Sequence, residues 1–99
     1  MARQALNTTD HDVIKKWVED RGGWPAHVKG TGDGDDPGML RIDFKGYSGA
    51  ESLEKISWEV FFKKFDEKHL AFLYEETTRD GKESRFFKFI SRQTAEARR

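Results

Sequence analysis

"SWEVFFKKFDEKHLAFLYEE", residues 57–76, changes period in its middle. Trp58, Phe61, Phe62 and Phe65 recur at i, i+3, i+4 and i+7, the spacing of one buried stripe on a helix. Ser57 stands where a helix cap is expected. From Leu70 to Tyr74 the chain is apolar without a break, so apolar residues fall on both faces of an extended segment, as in an interior strand. The stretch predicts a helix that feeds directly into a central strand. The other elements must be arranged around that unit.

Downstream, Asp80-Gly81 is a hairpin turn signal, and "SRFFKFIS", residues 84–91, returns as the last strand. Upstream, "TTDHDVIKKWVEDRGG", residues 8–23, reads as another helix. Thr9 is the expected cap, with Asp12 completing a box-like pattern. Asp10 and Asp12 suit the positive end of the helix dipole. Val13, Ile14, Trp17 and Val18 share one face, and Gly22-Gly23 supplies a left-handed stop.

Between the helices, "WPAHVK" (24–29) and "MLRIDF" (39–44) alternate as two strands, with Pro25 pointing to an edge position. The order α-β-β-α-β-β predicts an α+β fold: a four-stranded antiparallel sheet with two helices packed on one face. Its inner face would carry Trp24, Ala26, Val28, Leu40, Ile42, Phe44, Leu70, Phe72, Tyr74, Phe87 and Phe89. The expected organisation is a flexible N-terminus at 1–8, a single domain at 9–91 and a polar tail at 92–99. "VIKKW" and "FFKKF" each precede a strand pair, a weak echo compatible with a pseudo-repeat or with chance.

The totals agree with a small folded domain. Of 99 residues, 35 % are hydrophobic, but 13 % are aromatic, more than disordered chains carry. Eighteen Lys and Arg balance eighteen Asp and Glu, so the basic excess typical of a nucleic-acid binder is missing. There is no cysteine, which fits a reducing compartment. No apolar run reaches membrane-spanning length. A soluble, cytoplasmic protein is expected, without a cofactor.

The Gly/Asp-rich loop 30–38 is the first candidate for chemistry. It lacks the lysine of a phosphate loop. Read as a calcium loop from Asp33, it offers Pro37 and Phe44 where oxygen ligands are required. It is expected to be a structural connection, with weak cation binding as the alternative. "DHD" at 10–12 has metal-like composition, but neighbouring helical residues diverge by about 100° and capping explains the carboxylates. His27 is expected to face solvent on its strand. No catalytic set is fixed by spacing.

The outer sheet face would display Leu73, Phe86 and Ile90 as an apolar patch rimmed by charge. Such a patch serves either a partner or a second copy, unless the C-terminal tail folds over it. Lys29, Arg41, Arg85 and Lys88 are the candidate contacts for nucleic acid, although "SRFFKFISR" lacks the glycine that an RNA-recognition sheet places between its aromatics.

The motifs DHDVIKKW, RGGWPAHV, LRIDF, ISWEVFF and LAFLY together resemble a family of short bacterial proteins of uncharacterised activity. The resemblance spans most of residues 10–90 and implies no binding residues. Some members carry the name 1,4-alpha-glucan branching enzyme, which would imply a carbohydrate-related role. Enzymes of that reaction resemble (β/α)₈ barrels of about 250 residues with two carboxylates flanking the sugar, so this chain would not be a complete branching enzyme. A non-enzymatic protein-interaction module is the principal expectation, and a nucleic-acid-binding module the alternative.

Overall fold

A computed structural model describes residues 5–34, 36–46, 52–78 and 80–97. Their order is β1 (Ala5–Thr8), α1 (His11–Asp20), β2 (Gly23–Val28), β3 (Leu40–Phe44), β4 (Leu53–Lys55), α2 (Trp58–Glu67), β5 (Leu70–Glu75), β6 (Phe87–Ser91) and α3 (Arg92–Ala97). The fold is α+β as expected, but the sheet is not a single four-stranded one. The described strands form two three-stranded antiparallel sheets, ordered β1-β5-β6 and β3-β2-β4. Two strands escape a periodicity search because each is too short to show a period. One of them, β1, lies in the segment expected to be flexible.

Both main helices start and stop for local reasons. The Asp10 carboxylate, not Thr9, accepts the N–H groups of Asp12 and Val13, while Thr8 Oγ1 accepts the Asp10 N–H. Ser57 Oγ accepts the Val60 N–H of α2. Both helices are followed by a residue in the left-handed region, Gly22 at φ 71° and His69 at φ 52°. This conformation turns the chain straight into the next strand.

The two helix-hairpin units repeat one architecture, but the weak echo in the sequence is out of register with it. His11 recurs as Trp58, Gly23 as Leu70 and Leu40 as Phe87, each 47 positions later, and the ends of the three elements keep the same offset. The register places Val13 on Val60 and Val18 on Phe65, one residue away from the match between VIKKW and FFKKF. Each helix-hairpin unit receives its third strand from in front of the other unit's helix: β1 pairs with β5, and β4 with β2. The halves are thus interlocked rather than merely packed together.

One core serves both sheets. Ile14, Trp17 and Val18 of α1 and Phe61, Phe62 and Phe65 of α2 are buried against Leu40, Ile42, Phe44, Phe72 and Tyr74. The register of β2 differs from the sequence expectation. Pro25 and His27 lie opposite Ile42 and Leu40 on the core face, and Trp24 and Ala26 lie opposite Asp43 and Arg41 on the other. A shift of one residue reverses every side chain of a strand, and pairing with β3 decides this one; β2 is the central strand of its sheet, not the edge strand that Pro25 suggested.

The outer patch is also altered. Leu73 is only 7 % exposed, Ile90 is half-buried, and Phe86 alone stays open at 45 %. Ala71, Leu73 and Ala95 are buried but stand outside the main aromatic cluster. The polar tail supplies α3, which packs on β5 and β6. Arg92 fixes its start by donating to the Leu70 carbonyl and to Asp66, and Asp66 also receives His11 Nε2 at 3.1 Å. Leu73→Ala should therefore lower stability by about 2–5 kcal/mol, whereas Phe86→Ala should stay within about 0.5 kcal/mol. Urea midpoints of the two variants check this contrast.

Candidate functional site

β3 and β6 are edge strands, and no backbone hydrogen bond joins them among the described residues. They nevertheless face each other. Phe44 and Phe87 touch at 6.1 Å between ring centroids, and Arg41, Phe87, Lys88 and Phe89 line one depression. Farther along the two strands the gap widens into a cleft of about 530 Å³. Leu40, Leu70 and Phe89 form part of its floor, Met39 stands at its mouth, and Arg41, Lys64 and Lys68 supply charge. None of the described residues lining the cleft is acidic.

The repeat explains why the cleft opens at one end only. At the closed end Trp17 reaches both Phe44, at 6.3 Å, and Phe87, at 6.4 Å. The Arg85 guanidinium lies 5.4 Å above Phe44. Arg21 stacks on Trp17 and donates to the carbonyls of Ser84 and Glu76. Forty-seven positions away, the equivalents of Trp17 and Arg21 are Lys64 and Lys68. Gly38 is the equivalent of Arg85, and Ser91 that of Phe44. Four filling side chains are replaced by two lysines, a glycine and a serine, and space is left where the first half is solid.

The loop between β2 and β3 shapes one wall. Asp33 and Asp36 exchange backbone hydrogen bonds, and the Asp36 carboxylate accepts the Gly38 N–H. Gly38 adopts φ 81°, and a Cβ there would lie 2.4 Å from the Gly32 nitrogen, so only glycine fits. Asp36 also receives Lys64 Nζ at 2.5 Å, which draws that buried lysine to the loop. This ion pair engages one carboxylate of loop 30–38; Asp35 lies outside the described residues. His27 is half-buried, its ring nitrogens 2.7 Å from the Pro37 carbonyl and 2.8 Å from Glu54.

The candidates from sequence are thus divided. Arg41 and Lys88 line the depression that adjoins the cleft, Arg85 closes its far end, and Lys29 sits beyond the end of β2, where its N–H donates to Ser52. Leu73 and Ile90 share the outer face of Lys88, away from the aromatic core. Sequence reasoning missed Met39, Lys64 and Lys68. Aligning the two halves at the 47-residue offset would have revealed the lysines as replacements for Trp17 and Arg21.

Comparison with protein-family models, curated proteins and solved structures finds no match for this chain. No helix among the described residues is long and apolar enough to cross a membrane.

The hydrogen bond from Lys64, followed by that from Gly38, holds the Asp36 carboxyl below its ordinary value of 3.8. A depressed folded-state pKa stabilises the fold above the ordinary carboxylate range, and this contribution disappears as pH falls through the depressed value. The Asp36 carboxyl carbon should titrate with a midpoint below 3.8, and Lys64→Met should move it back upward. Carbon-detected NMR titration of both proteins reads the difference.

Proposed function

We propose that this chain is a non-enzymatic protein-interaction module whose binding surface is the cleft between β3 and β6. The observation that carries this reading is the pairing of two strand edges across an apolar floor, under a rim of one charge sign. The chain as a whole is neutral, so the basic rim is a local feature. The outer face of the β5 sheet, the first expectation from sequence, is less suitable because α3 lies against it and Leu73 is buried. A glucan-processing role draws little support, since that chemistry needs two carboxylates and the described cleft lining holds none.

A nucleic-acid-binding reading has one observation in its favour: Arg41 and Lys88 stand beside Phe87 and Phe89. Base recognition by such a surface needs open ring faces. Phe87 is stacked on Phe72, and Phe89 packs against Phe61, Phe65 and Phe72. The rings are committed to the core, which favours a protein ligand.

The double variant Arg41→Glu with Lys88→Glu should keep the wild-type unfolding free energy within about 0.5 kcal/mol, read from urea unfolding, and lose a partner that the wild-type chain retains from its native extract. Identical sets of retained proteins would sink the assignment of this cleft. Steeply salt-dependent binding of oligonucleotides, stronger than any protein partner, would transfer the site to the alternative reading.

A further inference from the structure

We infer that the cleft binds an extended acidic segment of a partner protein as an additional β-strand, joining the two sheets into one. This inference rests on the interaction-module reading above and gives that site a ligand chemistry. Its first support is backbone direction. Lys45 and Val28 donate to Gly22 and Met39 across β2 and β3. In an antiparallel ladder bonded pairs alternate, so Leu40, Ile42 and Phe44 turn their backbone groups away from β2. Two side-chain bonds agree with that parity: Arg41 donates to the Leu40 carbonyl, and Asp43 accepts the Phe44 N–H.

The same reasoning applies to β6. Glu75 donates to the Phe86 carbonyl and Arg92 to that of His69. Phe87, Phe89 and Ser91 therefore turn their backbone groups away from β5, toward β3. The two edges run in opposite directions, with Phe44 near Phe87 and Leu40 near Phe89. A strand entering between them would be parallel to one and antiparallel to the other. Main-chain hydrogen bonds would supply affinity, and alternate side chains specificity.

Charge selects the composition of that strand. Leu40, Ile42, Phe87 and Phe89 all direct their side chains to the core face, while Arg41 and Lys88 alternate with them on the outer face. A ligand with apolar residues at every second position would cover Leu40, Leu70 and Phe89. Its intervening acidic residues would meet Arg41 and Lys88, and its end would approach Lys68. To admit the ligand, Arg41 must release the Leu40 carbonyl and take a carboxylate instead.

The test uses the full chain and an end-blocked heptapeptide alternating glutamate with valine, followed by amide NMR and hydrogen exchange. The expected result is saturable shifts and slowed exchange at Ile42, Phe87 and Phe89, with affinity falling as salt rises. Lys68→Glu and Lys88→Glu should each weaken binding at least tenfold, as should N-methylation of alternate peptide amides. A lysine-valine peptide should not bind. Equal binding of the N-methylated peptide would overturn strand addition and leave the interaction-module reading intact. No binding of the acidic peptide, while the Arg41→Glu/Lys88→Glu variant still loses its native partner, would overturn only the acidic-strand inference. Amides of Ile42 and Phe89 as protected in the free chain as those of β5 would show the two edges already closed on each other, and would also overturn it. Tighter, competing binding of oligodeoxythymidylate would defeat both readings.

Discussion

Trp17 sits where two sheets without a shared hydrogen-bond ladder have to be held together. Its ring meets Phe44 of one sheet and Phe72, Tyr74 and Phe87 of the other at 5.3–6.4 Å, mostly edge-on. Its Nε1 donates to the Glu75 carbonyl at 3.0 Å, so the buried polar atom is satisfied. A large aromatic contributes area that no aliphatic residue of this short core supplies, and edge-on geometry adds about 0.5–1.5 kcal/mol per pair. With Arg21 stacked upon it and bonded to the β5–β6 loop, Trp17 seals one end of the junction between the sheets.

The other end of that junction is built from the equivalent positions of the repeat and does not close. Lys64 and Lys68 stand in the places of Trp17 and Arg21, and Lys64 is drawn aside to Asp36. The cleft is thus the result of an asymmetry between two halves of one architecture. Such an opening carries a cost, since apolar floor residues forgo burial at about 25 cal/mol per Å². Filling it with hydrophobic side chains would stabilise the fold and remove the only described place where two strand edges confront each other.

Interlocking of the halves makes this asymmetry tolerable. Because β1 completes the sheet of the second unit and β4 that of the first, the sheets cannot drift apart without breaking ladders on both sides. Arg92 adds a tie among α2, β5 and α3 through Asp66 and Leu70. Burial alone would push the Asp66 carboxyl upward, but hydrogen bonds from His11 and Arg92 outweigh it and hold the carboxyl below its ordinary value. The tie is therefore fully charged at neutral pH.

Local spacing and apolar content were enough to read the two helices, the stop at Gly22, the hairpin strands and most of the core from the sequence; the left-handed turn at His69 was not among them. Sequence alone counted β1 within a flexible N-terminus and gave no sign of β4; they have four and three residues, and their extended shape comes only from the neighbours they pair with. It misassigned the faces of β2, because a strand with Trp24, Pro25, Ala26 and Val28 has apolar residues of either parity and the partner strand decides. It also left Leu73 outside, since burial on the second face of β5 requires α3, and six polar-rich residues announce no helix. The cleft lay furthest from reach: Arg41, Lys64 and Lys88 come from three distant segments, and only the packing of two sheets around Trp17 brings them to one rim.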